Sequence, residues 1–258
     1  MHHPPILIST DFDGTLILDY TTSSLAPRFF KCLQKLRRTR RVVWLLNTGR
    51  EWSSLDEIFN TLAMPCHPDW LALLEREIYR FANRQPVPLS HWNRHCADTH
   101  RDLFARAAPA LKQLRRHIAQ SGIAEVIPDD ASPYGIRANT PADADRIAAE
   151  AASLLADFPE MMLMRNSVYA RFAHVDFHKG SCLATIAREE GVSLQNIFAV
   201  GDHLNDLHML HPRYASHLAC PANAEPQVKQ AIRAHGGYVA RAAAADGVAE
   251  ALGHFFGV

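Results

Sequence analysis

Close to the N-terminus, an apolar and partly β-branched run passes directly into an acidic turn, with the sequence Ile6-Leu7-Ile8-Ser9-Thr10-Asp11-Phe12-Asp13-Gly14-Thr15. A continuous apolar run predicts a buried parallel strand, and ligands in open α/β sheets bind beyond the carboxyl ends of the strands. We therefore expect Asp11 and Asp13 in a functional site, projecting to the same side if the strand period of two continues. An ordinary strand and Asp-Gly turn has the same local pattern, so the other motifs determine the interpretation.

Two carboxylates this close in sequence resist simultaneous ionisation unless a cation lies between them. One of them can then remain ionised as a nucleophile while the other keeps a proton for a leaving group. Gly14 allows the backbone to turn sharply and to approach a ligand closely. The stretch therefore favours covalent catalysis assisted by an acid.

The composition is that of an ordinary globular chain of 258 residues, 48% of them hydrophobic and 21% charged, which allows one large domain or two modest ones. The 27 Lys and Arg residues equal the 27 Asp and Glu residues, so no basic field indicates nucleic acid as a partner. Five cysteines without a CxxC pair favour reduced thiols. The N-terminus lacks a signal-peptide pattern and no apolar run approaches about 18 residues, so we expect a cytoplasmic protein that does not enter a membrane.

Two further apolar runs, residues 42–46 and 197–200, also end in polar turns. The first turn is Asn47-Thr48-Gly49-Arg50, the second is Gly201-Asp202-His203-Leu204-Asn205-Asp206, and Lys179-Gly180 begins a predicted helix between them. Because parallel strands end at the same edge of a sheet, we expect Thr48 and the acidic residues Asp11, Asp13, Asp202 and Asp206 to converge there.

Four converging carboxylates would repel one another by several kcal/mol without a cation, and a set of oxygen ligands favours Mg²⁺ over zinc. Lys179 supplies a fixed positive charge that suits a phosphate oxygen. The hydroxyl of Thr48 and the backbone at Gly49, next to a helix N-terminus, offer donors to an anion. The residues themselves thus predict a magnesium and phosphate site.

The predicted fold class is α/β, with a doubly wound, mostly parallel sheet and an inserted α+β domain. The core domain is predicted from residues 1–82 and 176–258, and the insert from residues 83–175. Within the insert we expect a helix over 98–120, strands near 126–127 and 134–138, a helix over 141–156 capped by Thr140, and a hairpin that turns at Arg165-Asn166. Ser24 is expected to cap a helix that follows the first strand.

With these motifs in this order, the chain resembles the haloacid dehalogenase-like (HAD) hydrolase superfamily. Asp11-Phe12-Asp13-Gly14-Thr15 matches the first motif of that superfamily, Thr48 the second, Lys179 the third, and Gly201-Asp202 with Asn205-Asp206 the fourth. The place of the insert resembles the type IIB, Cof-like branch. Three patches are similar to sucrose-phosphate phosphatases: Pro68-Asp69-Trp70, Glu77-Ile78-Tyr79 and Ser132-Pro133-Tyr134.

The resemblance implies a Rossmann-like core with a smaller cap. It also implies Mg²⁺-dependent hydrolysis of a small phosphorylated metabolite, with a sugar phosphate as the first candidate. It implies that Asp11 attacks phosphorus to form an aspartyl-phosphate, and that Asp13 protonates the leaving alcohol and then activates water. The implied phosphate-binding residues are Gly14, Thr48, Gly49, Lys179 and Asn205. The implied Mg²⁺ ligands are Asp11, Asp13 through its carbonyl, Asp202 and Asp206, the last of which alternatively supports Lys179.

Two alternatives remain open from the sequence: a phosphomutase or other phosphotransferase on the same core, and a non-catalytic binding protein with a relic site. The chain also departs from the pattern of the family it resembles at two places. His203-Leu204 stands where small residues are frequent, and Glu75-Arg76 stands where the sucrose-phosphate phosphatases have Gly-Thr. Substrate selection is expected mostly from residues 83–175, with Trp92, Arg137 and Arg165 as candidates to meet a sugar or a second anionic group.

Overall fold

The computed structural model describes residues 3–18, 27–62, 64–129 and 131–258. It divides the chain into two compact units, one formed by Met1–Ser90 with Lys179–Val258 and the other by His91–His178. Both observed boundaries lie later in the chain than the predicted ones. At the first boundary the reason is a strand, Gln85–Pro88, which belongs to the sheet of the first unit.

The elements of the first unit, in chain order, are β1 (Ile6–Thr10), α1 (Pro27–Thr39), β2 (Val42–Asn47), α2 (Trp52–Thr61), β3 (Trp70–Leu73), β4 (Glu77–Ala82), β5 (Gln85–Pro88) and, after the second unit, α5 (Lys179–Glu189), β10 (Ile197–Val200), β11 (His217–Cys220), α6 (Pro226–Ala234), β12 (Tyr238–Val239) and α7 (Ala244–Phe256). Short 3₁₀ helices cover Leu194–Asn196 and Leu204–His208. The second of these begins within the motif that follows β10 and ends at His208.

The strands of the first unit form one sheet in the order β12-β11-β10-β1-β2-β3-β4-β5. Neighbours from β12 to β3 are parallel, whereas β4 and β5 are added as an antiparallel hairpin. The predicted doubly wound, mostly parallel sheet is thereby confirmed. The fully buried pattern of β1 and β2 explains why both strands are apolar on both faces.

The core of the first unit packs helices against this sheet around aromatic side chains. Trp44 on β2 is completely buried, and its ring lies 5.3 Å from that of Phe29 on α1. Leu33 and Leu36 continue the buried face of α1 at helical spacing. The prediction that Ser24 caps this helix concerns a residue outside the described ranges.

The elements of the second unit are α3 (Ser90–Ser121), which begins at the boundary, β6 (Ala124–Ile127), β7 (Gly135–Ala138), α4 (Pro141–Leu155), β8 (Met161–Asn166) and β9 (Tyr169–His174). The strands form an antiparallel sheet in the order β6-β7-β9-β8. The predicted cap of α4 is present, since the amide of Asp143 donates to Oγ1 of Thr140 at 3.1 Å. The predicted α+β character of this part of the chain is therefore seen in its structure.

Two local predictions in the second unit were wrong. Helix α3 begins earlier than residue 98, because Cys96 continues its buried face toward the N-terminus. The β8–β9 hairpin turns at Ser167 and Val168 instead of Arg165-Asn166, because strand pairing continues as far as Asn166 opposite Tyr169. No helix among the described residues is long and apolar enough to span a membrane.

Candidate active site

The candidate site lies at the carboxyl edge of the central strands of the first unit. Strand β1 pairs in parallel with β10 on one side and β2 on the other, so the three strands end at the same edge. Asp11 follows β1, Thr48 follows β2, and Asp202 lies just after β10. The amide of Asp11 donates to the carbonyl of Val200 at 3.0 Å, which extends the strand pairing up to the first acidic residue.

Lys179 lies at the centre of this edge and is fully buried. Its Nζ donates to Oδ1 of Asp11 and to Oδ1 of Asp206, each at 2.6 Å. Its backbone carbonyl accepts a hydrogen bond of 2.9 Å from Nδ2 of Asn47, which ties the start of α5 to the end of β2. The lysine therefore joins the segments that follow β1, β2 and β10.

The ionisation of this cluster follows from burial and from an excess of negative charge. Burial disfavours the Lys179 ammonium, but the carboxylates of Asp11, Asp206 and Glu75 outweigh that cost and raise the lysine pKa. Burial, and next the charge of Asp206, raise the pKa of Asp11 well above its usual range despite Lys179. The same two causes raise the pKa of Asp202 to about 7. One lysine thus leaves the carboxylates incompletely neutralised.

Asp206 organises the loop that follows β10. While its Oδ1 binds Lys179, its Oδ2 accepts hydrogen bonds from the backbone amides of Asp202 and His203, both at 2.9 Å. Gly201 makes this approach possible, because a Cβ atom there would lie 2.4 Å from Cγ of Asp206. Both oxygens of Asp206 are therefore engaged within the protein, as expected of a residue that supports Lys179.

Asp202 is held against the turn that follows β1. Oγ1 of Thr15 donates to Oδ1 of Asp202 at 2.7 Å. Gly14 has a positive φ of 79°, and a Cβ atom built on it would lie 2.2 Å from Oδ2 of Asp202. Glycine is required here for both its backbone conformation and its lack of a side chain.

The side chain of Asp13 does not join the other three carboxylates. Strand β1 ends at Thr10, so the strand period does not extend to Asp13, and its carboxylate lies outside the close cluster of Asp11, Asp202 and Asp206, although its charge contributes to the raised pKa of Asp202. Instead, Oδ2 and Oδ1 of Asp13 accept hydrogen bonds from Nε and Nη2 of Arg50 at 2.7 and 2.8 Å. Nη1 of Arg50 also donates to Oγ of Ser54 at 2.6 Å, which fixes the guanidinium.

The predicted phosphate-binding residues Thr48, Gly49 and Asn205 are connected through Glu75. The amide of Glu75 donates to the carbonyl of Thr48 at 3.0 Å, and a Cβ atom on Gly49 would lie 3.4 Å from Oε1 of Glu75. The same Oε1 accepts a hydrogen bond of 2.5 Å from Nδ2 of Asn205. The loops after β2 and β10 therefore meet at a buried carboxylate.

The residues present suit a magnesium ion. Ligand atoms of Asp11, Asp202 and Asp206 all lie within 4.8 Å of one another, and all three residues are buried. Among the described residues, the side-chain hydrogen bonds to Asp11 and Asp202 go to Oδ1. Their Oδ2 atoms are consequently the better candidates for ligands than the engaged carboxylate of Asp206. An all-carboxylate donor set and raised carboxylate pKa values fit a hard divalent cation.

The three side chains of the insert that sequence reasoning singled out have structural contacts within the second unit. The ring of Trp92 lies 5.1 Å from that of Phe177. Nη2 of Arg137 forms a salt bridge of 2.5 Å with Glu125. Arg165 pairs with Asp145 and donates to two backbone carbonyls, one of them that of Ser167 at 2.8 Å.

Sequence reasoning missed Thr15, Arg50 and Glu75 as members of the site. Thr15 and Arg50 are the last residues of two polar stretches that the sequence analysis singled out, and this position was the available signal. Glu75 lies 26 residues after Gly49 and 130 residues before Asn205, and no local pattern marks it.

Comparison with known proteins identifies the family. The family of haloacid dehalogenase-like hydrolases matches residues 123–252, about half of the chain. This protein belongs to the haloacid dehalogenase-like hydrolases. The match includes the Lys179, Asp202 and Asp206 parts of the site, and the first two motifs lie outside it.

One protein of known activity and two solved structures are similar to parts or all of this hydrolase. A phosphoglycolate phosphatase of Methanothermobacter thermautotrophicus is 34% identical over 80 residues, which is 31% of this chain and 34% of that protein, so the match spans about a third of each. The structure of the sucrose-phosphatase of Synechocystis sp. PCC6803, with sucrose and phosphate, has a TM-score of 0.74 at 16% identity and covers 98% of both chains. A sugar phosphatase of HAD subclass IIB has a TM-score of 0.60 at 16% identity, over 97% of this chain and 98% of that one. The two structural likenesses show a shared fold, including the inserted unit.

Proposed function

We propose that this hydrolase is a Mg²⁺-dependent phosphomonoesterase that acts on a small phosphorylated metabolite. The preferred candidate for this substrate is a sugar phosphate. The reaction proceeds through an aspartyl-phosphate on Asp11. The observation that carries the proposal is the buried Lys179, held at 2.6 Å from both Asp11 and Asp206 at the carboxyl edge of the sheet. A cation fixed beside a carboxylate nucleophile neutralises the incoming phosphoryl oxygens and orients the nucleophile.

In the first step, a carboxylate oxygen of Asp11 attacks phosphorus and the bond from phosphorus to the substrate oxygen breaks. Asp13 donates a proton to the departing alkoxide, and its side chain, 38% exposed, is accessible for this task. The two hydrogen bonds from Arg50 hold Asp13 in place. Lys179, Thr48 and Asn205 bind the phosphoryl oxygens in this proposal.

In the second step, Asp13 removes a proton from water, the water oxygen attacks phosphorus, and the acyl-phosphate bond breaks. Asp11 is thereby regenerated and inorganic phosphate is released. Asp11 and Asp202, with the backbone carbonyl of Asp13, would hold Mg²⁺. Asp206 would hold Lys179 and the loop after β10 in position. When bound, Mg²⁺ supplies charge neutralisation for the carboxylates and for the phosphoryl oxygens.

The choice of a sugar phosphate is supported by the fold likeness to a sucrose-phosphatase and to a subclass IIB sugar phosphatase. The partial relationship to a phosphoglycolate phosphatase makes phosphoglycolate a second substrate to examine. A cytoplasmic location belongs to the same proposal and is supported by the free thiols of Cys32, Cys66, Cys96, Cys182 and Cys220.

The test is the release of inorganic phosphate from sugar phosphates, phosphoglycolate and nucleotides, with Mg²⁺ and with a chelator. The proposal expects release that requires the metal and that disappears in the Asp11→Asn variant, since an amide cannot act as the nucleophile. Phosphate transfer to a second substrate without release into water would instead show a phosphotransferase. Metal-independent release, or equal activity of Asp11→Asn, would refute the mechanism.

A further inference from the structure

The turn between β3 and β4 is a tight hairpin turn, in which the amide of Arg76 donates to the carbonyl of Leu73 at 3.0 Å. Leu74 and Glu75 have φ values of 52° and 64°, so two consecutive residues with side chains adopt the left-handed conformation. This conformation is unfavourable for residues other than glycine, and strain of this kind persists only where surrounding structure enforces it. Hairpin turns of this kind favour Asn and Gly at both central positions, so Leu74 and Glu75 occupy them at a conformational cost.

The strained turn is fastened to the loop that follows β2. The amide of Leu74 donates to the carbonyl of Arg50 at 3.1 Å, and the amide of Glu75 donates to the carbonyl of Thr48 at 3.0 Å. In return, the amide of Thr48 donates to the carbonyl of Ala72 at 2.9 Å. These bonds place the side chain of Glu75 beside the candidate phosphate-binding loop, where the residue is only 5% exposed.

The carboxylate of Glu75 is directed at Asn205. Its Oε1 accepts a hydrogen bond from Nδ2 of Asn205, and its charge contributes to the raised pKa of Lys179. A buried carboxylate is costly unless it is hydrogen-bonded or paired. Packing alone does not explain Glu75, because an apolar side chain or a glycine would avoid that cost.

The contact fixes how the Asn205 amide is oriented. If the amide were rotated by half a turn, its carbonyl oxygen would face the carboxylate, two acceptors would be opposed, and the hydrogen bond would be lost. An amide nitrogen carries two N–H donors, so the bond to Glu75 uses one and defines the direction of the other. Oδ1 of Asn205 is buried without a hydrogen-bond partner in the described part of the chain, which leaves Glu75 as the group that sets the amide orientation.

We propose that Glu75 is a positioning residue that acts through Asn205, holding the second amide N–H of Asn205 toward the transferring phosphoryl group. This inference rests on the proposed phosphatase function and deepens it. The strain at Leu74 and Glu75 is the conformational cost of bringing this carboxylate between the loops that follow β2 and β10.

The test is a double-mutant cycle in the full-length protein. The variants are Glu75→Gly, Asn205→Ala, the two together, and Glu75→Gln, which keeps a carbonyl oxygen able to accept from Asn205. Leu74→Gly is the matched control, because it relaxes the neighbouring left-handed residue and leaves the carboxylate unchanged. The readouts are kcat and KM for the preferred substrate of the panel, inhibition by inorganic phosphate with Mg²⁺, and the thermal midpoint of each variant.

We expect Glu75→Gly to lower kcat/KM and to weaken phosphate inhibition by about 10- to 100-fold, which corresponds to the loss of one hydrogen bond to a charged group. Its thermal midpoint should not fall, because glycine relieves the left-handed strain. In the Asn205→Ala background, Glu75→Gly should lower kcat/KM and weaken phosphate inhibition by no more than about twofold. Glu75→Gln should recover most of the activity, and Leu74→Gly should retain it.

If the fold-losses in kcat/KM of the two single variants multiply in the double variant, the inference is overturned, since Glu75 would then not act through Asn205. Unchanged kinetics in Glu75→Gly would also overturn it, and so would tighter phosphate inhibition in both Glu75 variants, which would show that the carboxylate acts through its charge. A wild-type protein that neither releases nor binds phosphate with Mg²⁺ would refute the proposed function and this inference with it. An active wild-type protein with fold-losses that multiply in the double variant would refute the inference alone.

Discussion

Replacing Lys179 with Met removes the only charge compensation that the described residues provide by direct contact to the buried pair Asp11 and Asp206. Methionine has a similar length and suits an enclosed apolar stem, so the change chiefly deletes the ammonium. Breaking a buried ion pair by removing one partner costs about 3–5 kcal/mol of folding free energy. Asp11 limits this cost, because its raised pKa already favours proton uptake.

The expected loss therefore depends on pH, with a sign that follows from proton linkage. The pKa of Lys179 is raised, so its contribution in the wild-type protein is fully present below the pKa of an unfolded lysine and does not change near neutrality. Asp11 binds a proton more tightly when folded than when unfolded in the wild-type protein already, and the Lys179→Met change raises its folded pKa further because it removes the ammonium that lowers it. The stability of the variant should consequently fall further than that of the wild-type protein as pH rises above the unfolded carboxyl pKa of 3.8, so that the deficit is larger in alkaline than in acidic buffer.

The assay is urea unfolding with a chelator at about pH 5.5 and about pH 8, with exposed Lys31→Met as the matched control. We expect a loss of about 3–5 kcal/mol for Lys179→Met at the higher pH and a clearly smaller loss at the lower pH. The control should stay within about 0.5 kcal/mol of wild type. A loss below about 1 kcal/mol, or an equal loss at both pH values, would refute the electrostatic account of the site.

Three other predictions follow from the same geometry. Gly14→Ala should lower the free energy of unfolding by about 1–3 kcal/mol and reduce turnover, because its Cβ would lie 2.2 Å from Oδ2 of Asp202; wild-type urea curves and rates would contradict this. Asp13→Asn should lower kcat by about 10²–10⁴-fold, as expected for loss of a general acid and base, and a smaller effect would remove Asp13 from that role. Mg²⁺ at a hundred times its Kd should stabilise the fold by about 2.7 kcal/mol, measured by thermal shift. Because the pKa of Asp202 is about 7 in the metal-free protein, protons compete with the cation below neutrality. The thermal shift at a fixed Mg²⁺ concentration should therefore be larger above pH 7 than below it. A thermal shift that is absent or the same at all pH values would argue against this metal site.

The strands that form the site could be predicted because their signal is local. The runs that became β1, β2 and β10 are apolar on both faces, as buried parallel strands must be, and each ends where a polar motif begins. Parallel pairing then places their ends, and with them Asp11, Thr48 and Asp202, at one edge of the sheet. The family and fold class followed from these motifs and their order.

The features that escaped prediction depend on the choice of side-chain partners. The pairing of Asp13 with Arg50 was not predicted, because sequence spacing does not reveal this hydrogen-bonding geometry. Glu75 was noted only as a departure from relatives, because its left-handed backbone and its contact with Asn205 arise from tertiary structure. Strand β5 was missed because prolines usually exclude strands, whereas an edge strand tolerates them.

The central claim is that Asp11 carries the phosphoryl group during turnover, and the most direct measurement is mass spectrometry of acid-quenched Asp13→Asn protein after reaction with p-nitrophenyl phosphate and Mg²⁺. This substrate has a good leaving group that needs little protonation, so the first step should proceed while the water-dependent second step is slow. The account predicts one phosphoryl group on the peptide that contains Asp11, sensitive to hydroxylamine and absent from the Asp11→Asn/Asp13→Asn variant. The account would be contradicted if the wild-type protein showed metal-dependent turnover and the quenched Asp13→Asn protein carried no phosphoryl group on the peptide that contains Asp11.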